Sequence, residues 1–367
     1  MRLLELALSW AAMTSLVAAD AVTDLQNAGN TQINAYMAST AKGGCTKEKQ
    51  LVRREWGDIT KDERKAWIDG FQCLLSKPSK LDSTQFPGAK SRYDDFVVVH
   101  MNQTLSIHGT GNFLSWHRYY TWAFENVMRT ECGYTGTQPY WDYGRWADDP
   151  LSSPLFDGSD TSLGGNGAQS PGGGGGGGGK PAGDGGGCIS TGPFKNMTVY
   201  LGPMSAVVRP APARNPQSNG YGANPRCIRR DITNYLSTRY GKTTDIVNQI
   251  KNYQAIKPFQ DYMQGGTGIH GVGHFTVSGD PGGDFYISPN EPSFWLHHAM
   301  IDRVWTIWQG QDYANRMMQM EGGTSMFGGG RAQSLDDPTY LGVVADKTYA
   351  IRELMSTVDG PFCYTYE

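Results

Sequence analysis

The distribution of histidine constrains the fold of this 367-residue chain more than any other sequence feature. Three histidines form a first group and four form a second: His100, His108 and His117, then His270, His274, His297 and His298. Residues 118–269 contain none, a gap that scattered structural histidines would not leave. Imidazoles gathered without thiolates are typical of sites for copper, zinc, iron or nickel. The pattern therefore predicts two histidine clusters that hold metal ions.

Hydrophobic periodicity predicts that helices carry most of these histidines. We expect helices over residues 60–75, 93–101, 115–130, 255–275 and 291–308. Thr60 and Glu63 form a capping box at the start of the first. His270 and His274 lie one helical turn apart, so both imidazoles project from one face and can share a metal. The sequence thus predicts a mainly α fold with long irregular loops and little β structure.

The composition excludes several classes of function. The formal charge is −3 and the pI about 6.2, which argues against nucleic acid or an anionic membrane surface as a partner. Aromatic residues make up 11% of the chain, enough for a sizeable core. Of the 48 glycines, 15 lie between residues 164 and 187. We interpret residues 160–190 as a glycine-rich insertion within one domain, because the histidine groups on either side need each other.

The first nineteen residues have the pattern of a secretory signal peptide. Arg2 supplies a positive charge, residues 3–18 are mostly apolar, and Ala19 ends a small-residue cleavage site. The alternative is an ordinary N-terminal helix. Elsewhere the sequence has no run of the roughly 18 apolar residues that a membrane span needs. We therefore expect residues 20–367 to form a single secreted, extracellular domain.

Cysteine usage agrees with export. The six cysteines are even in number and contain no CxxC pair, which favours three disulfides over metal binding. Six cysteines allow 15 pairings, and the sequence does not choose among them. Our working hypothesis pairs Cys45 with Cys363, Cys73 with Cys132, and Cys188 with Cys227. Asn102 and Asn196 begin glycosylation sequons that suit the same compartment.

Three segments resemble the type 3 copper proteins, which include tyrosinases, catechol oxidases (polyphenol oxidases) and hemocyanins. They read SIHGTGNFLSWHRYYTWAFE, GIHGVGHF and SPNEPSFWLHHAMIDRVWTIWQ. Near the end of the chain, Tyr364 and Tyr366 are similar to the tyrosine pair of that family, and Arg53 or Arg54 is similar to the arginine that packs on it. The resemblance spans roughly residues 45–366. It implies a short fungal form whose four-helix bundle core holds two copper ions.

The resemblance also assigns the ligands. It implies that His100, His108 and His117 hold one copper ion, and that His270, His274 and His298 hold the other. His298 is preferred to His297 because it precedes Asp302 by four residues, as the ligand does in arthropod hemocyanins. His297 is then a neighbouring pocket residue. Asp302, one turn beyond His298, is expected to accept a hydrogen bond from a ligand imidazole. The alternative is that Asp302 pairs with Arg303 or another surface cation.

Departures from the family pattern bear on activity. Ser106 stands where many fungal tyrosinases have a cysteine that is bonded to the second histidine, so His108 is expected to rely on packing alone. Gly271 follows His270, where efficient phenol hydroxylases often have an asparagine that helps an acidic residue deprotonate the phenol. Asp261 is a candidate for that acidic residue. Without the polar helper, we expect o-diphenols to be favoured over monophenols.

The resemblance implies oxidation of o-diphenols, and possible hydroxylation of monophenols, to o-quinones with reduction of O2 to water. Partners are O2 and a small phenol. Candidates for the pocket wall are Phe275, Phe285, Ile287 and His297, although each is also an ordinary core residue. Two alternatives stay open: a tailoring enzyme of secondary metabolism with another substrate or metal, and a hemocyanin-type oxygen carrier. The expected absence of a C-terminal shielding domain disfavours the carrier. The natural phenol and the oligomeric state do not follow from the sequence.

Overall fold

The structure, a computed structural model, describes residues 21–39, 44–170, 179–326 and 330–367. The signal peptide predicted at residues 1–19 and most of the glycine run lie outside these ranges. Ten helices are labelled here: α1 (21–39), α2 (Lys61–Ser76), α3 (Arg92–Ile107), α4 (Phe113–Cys132), α5 (Ser237–Tyr240), α6 (Thr243–Asn252), α7 (Ile256–Gln264), α8 (Ile269–Val277), α9 (Ser293–Gly310) and α10 (Tyr313–Arg316). The mainly helical prediction is confirmed.

Strands are short and pair in twos within the described residues. The strands are β1 (Leu51–Arg53), β2 (Gly167–Gln169), β3 (Gly186–Ile189), β4 (Thr198–Val199), β5 (Arg226–Cys227), β6 (Pro338–Thr339), β7 (Tyr349–Ala350) and β8 (Tyr364–Tyr366). β1 and β8 are parallel and bring residues near the two ends of the described chain together, while the other three pairs are antiparallel. The arrangement agrees with the expectation of little β structure.

The core consists of helices that pack on α4 and α9. α4 contacts α2 and α9, while α8 contacts α7 and α9. Every residue of α9 is buried. Aromatic rings fill the space between these helices, with Phe124 stacked on Trp295 at a centroid distance of 3.8 Å. Because large aromatic side chains bury much apolar area, this core holds α3, α4, α8 and α9 in fixed relative positions.

The observed helix boundaries show which short sequence signals correctly predict where a helix begins or ends. Thr60 and Glu63 form the capping box predicted for α2. A second box, from Ser91 and Asp94, begins α3. The helix predicted over 255–275 is two helices, because residues 265–268 contain three glycines, which favour a turn over a continued helix. The helices at 21–39 and Thr243–Asn252 were not predicted. No helix in the described ranges has the length and apolar character to cross a membrane.

The disulfide hypothesis is confirmed at all three pairs. Cys45 bonds to Cys363, Cys73 to Cys132 and Cys188 to Cys227. The second of these joins α2 to the end of α4 across 59 residues of sequence. Three disulfides are typical of a protein that folds in an oxidising compartment.

Removing the α2–α4 disulfide should cost considerable stability. The double variant Cys73→Ser/Cys132→Ser should lose about 4 kcal/mol of unfolding free energy. Without the crosslink the unfolded chain has more conformational entropy, and this stabilises the unfolded state relative to the folded one. Urea denaturation of both proteins without reductant measures the difference. A loss below about 1 kcal/mol would show that the unfolded chain is not constrained by this bond.

Candidate metal centre

The first histidine group is assembled by α3 and α4. His100 lies within α3, His108 follows its last residue, and His117 lies in the second turn of α4. Each Nδ1 donates a hydrogen bond to a backbone carbonyl, that of Tyr286 for His100 (2.9 Å), Thr104 for His108 (2.9 Å) and Phe113 for His117 (2.8 Å). Carbonyl oxygens only accept, so the proton is on Nδ1 and the lone pair is on Nε2. The Nε2 atoms of His100 and His117 are buried and bind nothing in the described residues.

The expectation that packing alone holds His108 is wrong. Its Nδ1 bonds to the carbonyl of Thr104, one turn earlier in α3. Ser106 is exposed, and its hydroxyl donates to the carbonyl of Gln103. A hydrogen bond to the backbone therefore orients this imidazole where no thioether can form.

The second group lies on α8 and α9. His270 and His274 are one turn apart on α8, as predicted, and His297 and His298 are adjacent on α9. One ring nitrogen from each of the four lies within 4.8 Å of the others. His270 Nε2 and both ring nitrogens of His297 and His298 are buried without a partner among the described residues. Buried polar atoms normally have partners, so this set is a fit for a metal ion.

The two groups face each other. The rings of His117 and His298 are stacked, with centroids 4.4 Å apart and planes 12° apart. The rings of His108 and His270 are 6.0 Å apart. Two metals held by these groups would therefore be neighbours.

His297 and His298 lie in different surroundings. The His297 ring packs on Gly273, where a Cβ would lie 2.2 Å from Nδ1. Any larger residue at 273 would displace the ring, which explains why glycine stands at this position. His298 instead stacks on the first group. This position supports His298 as the ligand.

Burial keeps these imidazoles neutral. Desolvation lowers the pKa of His108 to about 4 and that of His274 to about 3, and it moves the pKa of the other five in the same direction. Neutral imidazole is the form that binds metal. The site is therefore ready to coordinate a metal at neutral pH.

A cavity of about 200 Å³ opens beside the histidines. His108, His270 and His274 form its inner wall, and Phe275, Phe285 and Gly271 complete much of the rest. An engineered cavity of about 150 Å³ is enough for benzene, so one substituted aromatic ring fits. Two predicted wall residues do not line it: Ile287 is fully buried in the core, and His297 lies behind His274 against a separate, smaller space.

The prediction for Asp302 is wrong. Its Oδ1 accepts from Arg118 Nε at 2.5 Å, and its Oδ2 accepts from the hydroxyls of Tyr364 and Tyr366, each at 2.6 Å. It therefore bonds neither to a ligand imidazole nor to a surface cation. Arg118 was overlooked, although its place directly after His117 in the histidine motif was a usable signal.

The arginine that packs on the tyrosine pair is Arg53. Its guanidinium lies 3.7 Å from the centre of the Tyr364 ring and forms an ion pair with Glu125 at 2.5 Å. Arg54 points away and pairs with Glu63 at the half-exposed start of α2. Strand pairing of β1 with β8 places Arg53 beside the tyrosines.

Sequence comparison identifies the family. Residues 90–311, which include all seven histidines, match the common central domain of tyrosinase. The chain belongs to the tyrosinase family. Membership implies a dicopper centre and copper-dependent oxidation of phenols.

Named relatives are similar in sequence to most of this chain. Tyrosinase P of Aspergillus terreus is 37% identical over 333 residues, covering 86% of this chain and 91% of its own. The N-acetyl-6-hydroxytryptophan oxidase ivoB of Emericella nidulans is 38% identical over 350 residues, covering 88% and 94%. These relatives are fungal, which supports a fungal origin.

A solved structure confirms the fold. A mutant polyphenol oxidase from Thermothelomyces thermophila superposes with a TM-score of 0.88 at 38% identity, covering 95% of this chain and 98% of its own. The helical core described above is thus that of a fungal polyphenol oxidase.

Proposed function

We propose that this chain is a dicopper oxidase that converts o-diphenols to o-quinones and reduces O2 to water. One observation carries the proposal. Two facing groups of histidines contain five buried Nε2 atoms without partners among the described residues, and three of the histidines, His108, His270 and His274, form the inner wall of a cavity that fits one aromatic ring. In the proposed ligand set, His100, His108 and His117 hold one copper ion, and His270, His274 and His298 hold the other.

The residues around the ions orient ligands and exclude water. Two copper ions, when bound, would accept two electrons from a diphenol. The Nδ1 bonds fix three imidazoles in the tautomer that presents Nε2. Phe285 packs on the His108 ring at 4.7 Å and, with Phe275, gives the cavity an apolar wall against which a substrate ring can pack.

The cavity has no free base for a monophenol among its described residues. Asp284 lines it, but its two carboxylate oxygens already accept four hydrogen bonds, from Met204 N, Ser205 N, Ser205 Oγ and Tyr286 N. Asp261, the acid considered from the sequence, does not line the cavity and pairs with Lys257. Since a phenol must lose its proton before it binds a metal, substrates that ionise more readily are favoured. This supports a preference for o-diphenols.

A second candidate substrate class comes from a relative's name. The protein from Emericella nidulans that is 38% identical is named as an oxidase of N-acetyl-6-hydroxytryptophan, a hydroxyindole. A tailoring enzyme of secondary metabolism, acting on such a phenol, would use the same histidines.

Metal analysis and a substrate panel test the proposal. Protein purified without added metal and then loaded with copper should hold two copper ions per chain and oxidise 4-tert-butylcatechol. The metal-free form serves as the control. Zinc in place of copper, or two coppers without oxidation of any catechol, would contradict the proposal. Oxidation of a hydroxyindole with no activity on catechols would favour the second class.

Gly271→Asn should raise the ratio of monophenol to diphenol activity. The added amide can help deprotonate a phenol, a kind of assistance worth on the order of 10² to 10⁴ in rate when optimised. Without a free carboxylate beside it, we expect less than about tenfold. Asparagine does not fit without a local adjustment, since a Cβ at 271 would lie 2.9 Å from the carbonyl oxygen of Gly265. The 265–266 turn must therefore shift.

Gly271→Ala is the matched control, because it adds the Cβ without the amide. Rates with 4-tert-butylphenol and 4-tert-butylcatechol, measured at equal copper content, give the ratio for each protein. An equal ratio in the asparagine and alanine variants would mean that the missing amide does not set the preference.

The protein is also proposed to be secreted, with residues 1–19 as the signal and 20–367 as one catalytic domain. Its three disulfides support this. Asn102 and Asn196 are both exposed and stay candidates for glycosylation. N-terminal sequencing and glycosidase treatment of the secreted protein would test both points.

A further inference from the structure

A groove of about 390 Å³ lies next to the cavity and has no part in the proposed oxidation. Its walls include Gly109, Lys257, Gln260, Asp261 and Glu321. Three of these residues belong to α7, and Gly109 directly follows the proposed ligand His108.

Gln264 connects the groove with the cavity. It lines the cavity, and its Oε1 accepts a hydrogen bond from the backbone N–H of Gly109 at 2.7 Å. Gln260 lies one helical turn earlier on the same face of α7 and lines the groove. This hydrogen bond lies between the two spaces, so a ring substituent that leaves the cavity over Gln264 would meet α7 and the groove.

The charge along this path is negative. Lys257 is paired with Asp261 at 2.5 Å, and Arg331, which precedes the lining residue Ala332, is paired with Asp337 at 2.6 Å. Glu321 is exposed and forms no direct ion pair with the described residues, although after Asp261 it also raises the pKa of Lys257. α7 also ends at the mouth of the cavity without a basic residue in its last turn, and a helix C-terminus carries partial negative charge.

The groove also contains an unsatisfied acceptor. Gln260 is only 2% exposed, and its Nε2 donates to the carbonyl of Glu321 at 2.6 Å. Its Oε1 receives no hydrogen bond from any residue that the structure describes. A buried acceptor without a donor is uncommon, and a ligand with an N–H group would supply the missing donor.

We propose that this groove receives a cationic side chain, so that the enzyme prefers o-diphenols with an alkylamine tail to those with a carboxylate tail. Because Lys257 is already paired with Asp261, an ammonium group on a ligand would supply a positive charge opposite Glu321 and an N–H donor for Gln260 Oε1. The inference rests on the proposed function, since it concerns the tail of a diphenol whose ring is oxidised in the cavity.

Substrates with matched rings test the proposal. Dopamine, 4-ethylcatechol and 3-(3,4-dihydroxyphenyl)propionate carry cationic, neutral and anionic tails of similar length. KM should rise in that order, with roughly a three- to tenfold difference between the two charged substrates at low ionic strength, as expected for partly exposed charges. The difference should shrink in 0.5 M NaCl because salt screens exposed charges.

Variants distinguish the effect of the charge in the groove from the effect of the overall charge of the protein. Glu321→Gln should reduce the KM difference between dopamine and the propionate, and Glu321→Lys should reverse its sign. Glu48→Gln removes the same charge from a fully exposed residue that lines neither space, and the difference should persist. Competitive inhibition by phenethylamine and 3-phenylpropionate, which have no hydroxyl to oxidise, should follow the same order as KM.

The outcomes distinguish the two proposals. If the copper-loaded protein oxidises none of the three catechols, the proposed function fails. If it oxidises 4-ethylcatechol but KM is equal for the two charged tails, or the difference survives Glu321→Lys, only the groove proposal is overturned.

Discussion

Replacing His274 by alanine should leave one copper per chain and abolish oxidation of 4-tert-butylcatechol. His274 lies in the second histidine group and on the wall of the cavity, so its loss removes one of three proposed ligands and opens the site. A single metal ion cannot take up both electrons of a diphenol. Copper content by atomic absorption and the initial rate of quinone formation measure the two effects. More than about a tenth of the original rate, equivalent to a barrier change under about 1.4 kcal/mol, would contradict the two-group assignment.

The adjacent histidines of α9 provide a matched pair. His298→Ala should lose one copper ion, because its ring stacks on His117 between the two groups. His297→Ala should keep both ions, because the His297 ring packs on Gly273. The reverse result would show that His297 is the ligand. Thermal unfolding of both variants checks that each is folded.

Asp302→Asn should lower the free energy of unfolding by about 3–5 kcal/mol, the range for breaking a buried ion pair. Asp302 is 3% exposed and is the shared acceptor for Arg118, Tyr364 and Tyr366. Arg118 is completely buried, so removing the negative charge leaves a cation without compensation in the core. Urea denaturation, with copper content checked in each protein, measures the loss.

Asp261→Asn is the control for that prediction. It makes the same chemical change in an ion pair whose two side chains are each about half exposed. Exposed pairs contribute between about 0.2 and 1 kcal/mol, so this variant should stay close to the original protein. Similar losses in the two variants would mean that Asp302 does not stabilise the core through its buried partners.

Much of the metal centre could be predicted from sequence because its signals are local. His270 and His274 needed only the helical repeat to be placed on one face, and Thr60 and Glu63 needed only the geometry of a single turn. These relations extend over four residues or fewer, so the backbone conformation alone decides them.

The tertiary structure was needed to show which distant residues each helical face contacts. Spacing placed Asp302 one turn after His298, but it could not show that Arg118 and the tyrosine pair bind its carboxylate. The sequence also could not decide whether Arg53 or Arg54 packs on the tyrosine pair, because that depends on the register of β1 on β8. Long-range packing decides these contacts, and a periodic pattern contains no information about which surface will cover it.

The sequence by itself thus determined the helical histidine motifs, the even set of cysteines and the family. Only the tertiary structure decided which ring nitrogens stay unpartnered, that Ile287 belongs to the core, and that α7 leads from the cavity into an acidic groove. The physical reason is that hydrogen bonding and burial at these positions depend on chain segments more than a hundred residues apart, such as Gly109 and Gln264, which meet only after the helices have packed.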